Sequence, residues 1–297
     1  MTLLEAFPTE ESCVAHLESL RWPKGVICPV CGSSRKVYKL SSRPIYKCSD
    51  CDSQFSVRKG TIFEESRLPL RKWFAAAWLV TESRKGISSC QLAREIGVTQ
   101  KTAWFMLGRL REVAAAMGES GGPMSGTVEA DETYIGGKEK NKHNSQRSKQ
   151  GRGTVGKLAV IGACERAGRI HTALIQGTTV PELHKFLKDN VIPGSTLYTD
   201  DHAGYRGTGC FTHGAVNHTA HEYVRGDVHT NTIESFWALL KRGYYGIFHQ
   251  FSSKHIHRYL AEFSTRWNMS DLNSEGRVNL LLESASGLRL TYQELIQ

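Results

Sequence analysis

The chain has 297 residues, 40% of them apolar and 23% charged, with a formal net charge of +9. That length accommodates about two domains with a sizeable core, and the composition is that of a globular protein rather than a disordered or fibrous one. The positive balance favours a polyanionic partner, nucleic acid first, because lysines and arginines release counterions from phosphates. No run of eighteen or more apolar residues occurs, so no membrane-spanning helix and no membrane partner are expected. The opening MTLLEAFPTEESC lacks a basic segment followed by an apolar one, which makes the cytoplasm the expected location.

Residues 9–20, TEESCVAHLESL, predict a short helix capped by Thr9, with Glu10 and Glu11 in the first turn where the helix dipole favours negative charge. Next come Cys28 and Cys31, then Cys48 and Cys51, two C-x-x-C pairs separated by sixteen residues that alternate enough for a hairpin. Four thiolates presented two at a time from two knuckles are a ligand set for structural Zn²⁺. Gly32 suits the tight backbone of the first knuckle. A redox pair needs only one C-x-x-C and leaves the second unexplained. Cys13, Cys90, Cys164 and Cys210 are scattered and read as small core residues. Residues 1–60 are therefore expected to hold an N-terminal helix and a zinc ribbon, whose loop carries Arg35, Lys36, Lys39, Arg43 and Lys47.

Residues 61–117 predict three helices. The first starts at Pro69, turns Trp73, Phe74, Ala77 and Trp78 to one side, and ends by Gly86. The second opens at Ser88 with Gln91 three residues on, a capping box, and stops at Gly97. The third starts from Thr99. A short helix, a turn containing Gly and a longer helix make a helix-turn-helix, and Lys101 and Arg109 on its second helix are the candidate DNA contacts. Residues 118–126, GESGGPMSG, read as a linker.

The second domain is expected over residues 127–270. TVEADETYI alternates as a strand with Glu129, Asp131 and Thr133 on one face. A basic loop follows, in which Lys138, Lys140, Lys142, Arg147, Lys149 and Arg152 are candidates for gripping DNA phosphates. Residues 157–177 form a hairpin, 180–191 a helix, 194–201 a fourth strand ending in Asp200 and Asp201, and 213–224 a fifth strand. From His229 to Gly243 the apolar residues Ile233, Phe236, Trp237 and Leu240 recur at helical spacing. Asn231 and Glu234 fit a capping box, and Lys241 lies two turns beyond Glu234 on the same face. A last amphipathic helix spans 251–268, and residues 271–297 are expected to be a peripheral segment. The order β-β-β-α-β-β-α is mixed α/β, and the first and fourth strands can be neighbours. Asp131, Asp200 and Glu234 then converge. Three carboxylates held together need cations. Mg²⁺ or Mn²⁺ takes oxygen ligands and substrate phosphates, and two such ions suit phosphodiester chemistry.

VEADETYIGGKEKNK, LYTDDHAGY and HTNTIESFWALLKRG resemble the three catalytic blocks of bacterial insertion-sequence transposases of the ISXO2-like group. FPTEESC with RWPKGVICPVCGS resembles the N-terminus of that group, so the likeness covers nearly the whole chain. It implies a zinc ribbon, a helical DNA-binding segment, and an RNase H-like domain carrying a DDE triad and a following Lys. Carried over, Asp131, Asp200 and Glu234 are the metal ligands and Lys241 the basic residue; Asn231 is the alternative third motif residue, as in some relatives. Asp200 is preferred to Asp201 because it follows the strand and the Thr. The implied reaction frees a 3′-hydroxyl at each transposon end and joins it to target DNA, with no covalent protein intermediate. Double-stranded DNA is the implied partner, and handling two ends implies at least a dimer. Two other readings are a DNA-binding regulator derived from a transposase and a structure-selective nuclease on the same core.

Overall fold

The structure is a computed structural model that describes residues 5, 7–41, 43–137, 143, 145, 154, 156–166, 168–217, 220 and 222–297. In chain order its elements are α1 (Glu10–Arg21), β1 (Val37–Lys39), β2 (Tyr46–Cys48), β3 (Gln54–Phe55), α2 (Leu70–Glu82), α3 (Ser89–Ile96), α4 (Gln100–Glu119), β4 (Thr127–Ile135), β5 (Leu158–Glu165), β6 (Ile170–Ile175), α5 (Val180–Asn190), β7 (Thr196–Asp200), β8 (Thr212–Val216), α6 (Asn231–Gly243), α7 (Ile256–Asn268), α8 (Ser274–Glu283) and α9 (Tyr292–Ile296). They fall into two units: Met1–Ser83, Ile87–Ala116 and Asp271–Gln297 make one, Arg84–Gly86 and Met117–Ser270 the other.

In the first unit, Thr9 caps α1 in a reciprocal box with Ser12. Strands β1, β2 and β3 form a small antiparallel sheet, against which Trp22, Tyr46 and Phe55 gather edge to face or stacked. Pro69 precedes α2 and offers no side-chain cap, so the carboxylate of Glu10 accepts from the free amides of Leu70 at 2.7 Å and Arg71 at 2.9 Å. Ser88 caps α3, which ends at Gly97 in the left-handed conformation that glycine adopts without a Cβ penalty. The turn into α4 completes the helix-turn-helix.

The C-terminal residues differ from the expected peripheral segment. Helix α8 packs on α1 and α2 of the first unit and buries Val278, Leu281 and Leu282 there. Its apolar residues recur at i, i+3 and i+4, a single short stripe that supplies a core face once two helices stand ready to receive it.

In the second unit five strands are ordered β6-β5-β4-β7-β8, with β4–β5 and β5–β6 antiparallel and β4–β7 and β7–β8 parallel. This mixed sheet is the RNase H-like core, and its first and fourth strands are neighbours. One face packs Ile135, Val160 and Ile170 against Ile233, Phe236, Trp237 and Leu240 of α6 and Leu260 and Phe263 of α7. The other packs Val128, Ala130, Ile161 and Leu197 against Leu183, Phe186 and Leu187 of α5. Period-two alternation along β4 decides which side chain meets which helix layer. Strand β8 is shorter than expected. It stops at Val216, because the next amide, of Asn217, turns to the carboxylate of Glu222.

Candidate metal centre and catalytic carboxylates

Cys28, Cys31, Cys48 and Cys51 bring their sulfurs within 4.8 Å of one another, with Cys28–Cys51 and Cys31–Cys48 at 3.7 Å. Tetrahedral Zn²⁺ with bonds of ~2.3 Å sets its ligands ~3.8 Å apart, so the four thiols fit that ion. The 3.7 Å separations are far beyond the ~2.05 Å of a disulfide. Hydrogen bonds from the hydroxyl and amide of Ser53 pull the Cys51 thiol down to about 6, while Cys31, against the Ser33 amide, is pushed up to about 12 by contact with the other three cysteines and by burial.

The second cluster forms where β4 and β7 part. Their ladder runs from Thr127↔Thr196 to Glu129↔Tyr198, and β4 then continues to Ile135 without that partner. In the opening, carboxylate oxygens of Asp131, Glu132 and Asp200 lie within 4.8 Å of one another. Asp131 reaches it from the α6 face, where the indole N–H of Trp237 donates to its Oδ2 at 3.0 Å. Glu132 reaches it from the opposite face, where the hydroxyl of the buried Tyr205 donates to its Oε2 at 2.7 Å. The amide of His202 donates to Oδ1 of Asp200 at 3.1 Å, which fixes the turn after β7. Burial, and then the charges of Glu132, Asp200 and Glu234, push Asp131 up to about 8. Glu132 is also raised, by burial first, while its bond from Tyr205 opposes the shift and Asp200 adds to it. Repelling carboxylates and an all-oxygen donor set suit a hard divalent cation such as Mg²⁺ or Mn²⁺.

Residues 8–54 match the transposase zinc-ribbon domain, and residues 123–268 match the ISXO2-like transposase domain. An uncharacterized protein in transposable element ISH50 of Halobacterium salinarum is 34% identical over 258 residues, 82% of this chain and 85% of that protein. The chain belongs to the ISXO2-like transposase family. An uncharacterized transposase-like protein of Haemophilus influenzae is 26% identical over 121 residues, which span 40% of this chain and 95% of that protein.

The chain thus brings together two of its three expected acids, Asp131 and Asp200, and adds Glu132. Glu234 stands in the first turn of α6, close enough to raise Asp131, and its Oε1 accepts from Thr230 Oγ1 at 2.9 Å. Thr230, not Asn231, is the residue preceding the helix; Asn231 is exposed in the first turn. Lys241 is half-buried in the last turn of α6. Lys101 is exposed, its ammonium 4.8 Å from the Tyr292 ring centroid. Lys138, Lys140, Lys142, Arg147, Lys149 and Arg152 lie outside the described residues. Among the described residues, no helix is long and apolar enough to cross a membrane.

Arg109 is a correction. It is only 7% exposed, and its guanidinium donates to the carbonyls of Leu290 at 3.0 Å, Ile62 at 2.9 Å and Glu64 at 3.1 Å. A side chain so engaged in the interior is a tie within the first unit and not a DNA contact. The spacing held the signal: Met106, Arg109, Leu110 and Val113 form one i, i+3, i+4, i+7 stripe, and all four are buried. Glu132 is hidden in the sequence for the opposite reason. Alternation sets it on the other face from Asp131, and only the parting of β4 and β7 lets both faces reach one opening.

Proposed function

We propose that the transposase binds the terminal inverted repeats of its element, hydrolyses a phosphodiester at each end to free a 3′-hydroxyl, and joins that hydroxyl to target DNA. The observation that carries this reading is the convergence of Asp131, Glu132 and Asp200 at the end of the parallel β4–β7 pair, with Glu234 on the adjoining helix. Asp131, Asp200 and Glu234 hold Mg²⁺ or Mn²⁺ in this proposal, as two ions, and Glu132 contributes a further oxygen. Ions bound there supply Lewis acidity to the attacking and leaving oxygens of a phosphodiester.

The protein's own groups do the remaining work. Trp237 fixes one oxygen of Asp131 by its hydrogen bond, which orients the carboxylate. Tyr205 holds Glu132 in the same way from the opposite face. Lys241, about 10 Å from Glu234 by helical rise, contacts a DNA phosphate near the scissile bond. Lys101 and the basic residues between 138 and 152 grip the backbone without reading sequence. Zn²⁺ on Cys28, Cys31, Cys48 and Cys51 keeps the ribbon folded as a DNA-binding element. Two ends are cut and joined together, so at least two copies assemble on DNA.

Purified protein, Mg²⁺ or Mn²⁺ and labelled DNA bearing the element's terminal repeats test the reading. Joined products that disappear in Asp131→Ala support it. Cleavage with no joining makes the protein a nuclease, and binding with no chemistry makes it a regulator; either result overturns the proposal.

A further inference from the structure

We propose that Glu129 is a positioning residue, one that docks α6 on β4 and thereby sets where Glu234 stands relative to Asp131. The inference rests on the reading of Asp131 and Glu234 as partners in one metal site. Glu129 lies two residues before Asp131 on the same face of β4, and its side chain is 0% exposed. A carboxylate so buried persists only when its charge and lone pairs are met.

They are met by the start of α6. Oε2 accepts the backbone N–H of Thr232 at 2.7 Å and of Ile233 at 3.2 Å, and Oε1 accepts the Thr232 hydroxyl at 2.9 Å. These amides are orphan donors of a helical first turn, where negative charge also meets the positive end of the helix dipole. Thr230, the residue preceding the helix, makes no side-chain cap, because its hydroxyl is turned to Glu234 instead. On the far side of Glu129, Arg166 donates from Nε to Oε1 at 3.2 Å and from Nη2 to the carbonyls of Asp227 at 2.6 Å and His229 at 3.5 Å. His229 Nδ1 lies beside them, 3.3 Å from the same Oε1 and 3.4 Å from the Asn231 amide, whose N–H it accepts. One carboxylate therefore gathers the chain entering α6, the first turn of α6, and the end of β5.

A second pin lies further along, where Trp237 donates to Asp131 at 3.0 Å. From residue 232 to 237 a helix rises about 7.5 Å, and from 129 to 131 a strand advances about 6.6 Å. The two spans match, so α6 is fastened to β4 at both ends of one stretch, and Glu234 lies inside it. Gly162, the partner of Asp131 in β5, makes the approach possible: a Cβ there meets Trp237 at 2.8 Å and Ile233 at 3.0 Å. Two pins fix both the translation and the tilt of the helix. With Glu129 removed, the pin at Asp131 and the apolar packing remain and the first turn is free to move. A displacement well under 1 Å at a reacting centre is enough to slow chemistry.

The test uses the full chain as wild type, Glu129→Gln and Thr232→Val. Five quantities are read: kcat and KM on end-bearing DNA, the Mg²⁺ concentration at half-maximal rate, Mn²⁺ binding by calorimetry, and hydrogen exchange at the Thr232 and Ile233 amides. In Glu129→Gln, kcat is expected to fall about 10- to 100-fold with KM for DNA within about twofold. Half-saturation by Mg²⁺ rises, and the Thr232 and Ile233 amides exchange faster while those of β5 and β6 do not change. Thr232→Val moves the same quantities in the same direction by less. Wild-type values of kcat and Mg²⁺ half-saturation in Glu129→Gln overturn the positioning role and leave the metal site standing. If Glu129→Gln unfolds, Thr232→Val decides, and an unchanged metal dependence there overturns the proposal. A wild type that binds no Mn²⁺ overturns the metal-site reading and this inference with it.

Discussion

Asp131 carries the sharpest conflict at the scale of one residue, since it is held among three other carboxylates and pushed up to about 8 by burial and their charges. The ordinary value for Asp is about 3.9. Between those values the folded chain keeps a proton that the unfolded chain has released. Stability from this group is thus complete below the unfolded value and is lost as pH rises through about 8. A divalent cation competes for the same oxygens, so its affinity rises over the same window. Asp131→Asn, neutral at every pH, is expected to melt above the wild type without metal, by a margin that widens from pH 6 to pH 8.5. It should also lose the upward shift in Tm that Mg²⁺ or Mn²⁺ gives the wild type. Melting curves at the two pH values, with and without metal, check this. A margin independent of pH, or an unchanged response to metal, would count against the assignment. The sequence made Asp131 visible through its strand and its resemblance, yet it did not reveal that Trp237, readable as part of an apolar stripe, also orients the carboxylate. A dual role of that kind is a matter of side-chain direction, which periodicity does not specify.

Helices α2 and α6 use the same device at their N-termini. In neither does the residue preceding the helix cap it with its side chain, and each is served by a carboxylate from another element: Glu10 of α1 in one, Glu129 of β4 in the other. Helix and strand existence were readable from apolar spacing and alternation, and β4 runs over the expected residues 127–135. Remote caps were not readable, because the sequence signature of a cap is local and these partners lie 60 and 103 residues away. Gly162 belongs with them. Within VIGACE it reads as a weak spot in a strand, whereas its lack of a side chain is what lets α6 lie close. Gly162→Ala forces a methyl into the Trp237 ring and the Ile233 methyl, an overpacking expected to cost about 1–3 kcal/mol. The variant should unfold earlier and lose kcat more than it changes KM for DNA, as its first effect is to lift α6 from Asp131. Wild-type Tm and kcat in Gly162→Ala would show that the helix is not held as described.

Over the whole molecule, chain order and spatial order part company in the first unit. Its ribbon sheet has strands of three, three and two residues, too short to stand as an independent sheet. Cross-linking by Zn²⁺ through four thiolates is the expected remedy. Stripping the metal with a thiol-selective reagent and a chelator should abolish binding to end-bearing DNA and leave the melting of the Met117–Ser270 core in place, with roughly one zinc released per chain. Retention of DNA binding by the stripped protein would separate the ribbon from end recognition.

The last 27 residues, 271–297, are the other support of that unit. Val278, Leu281, Leu282, Leu290 and Leu295 are buried, and Leu295 lies against Gly108 so closely that a Cβ on that glycine meets it at 2.7 Å. Polar ties accompany them: Arg277 to Glu82 at 3.1 Å, His16 to Asn279 at 2.8 Å, and Arg109 to the carbonyl of Leu290 at 3.0 Å. Burial of such side chains stabilises by about 1.5–3 kcal/mol each, so five amount to roughly 8–15 kcal/mol, comparable with the whole stability of a domain, about 5–15 kcal/mol. Deletion also leaves the buried guanidinium of Arg109 short of an acceptor. A chain ending at Ser270 is therefore expected to lose the folded first unit at 25 °C while the RNase H-like core still melts cooperatively. Limited proteolysis of the truncated and full-length chains measures this, with cleavage spread through residues 7–116 as the expected result. Equal protease resistance of that region in both would return the C-terminal segment to the periphery where its position in the sequence had placed it.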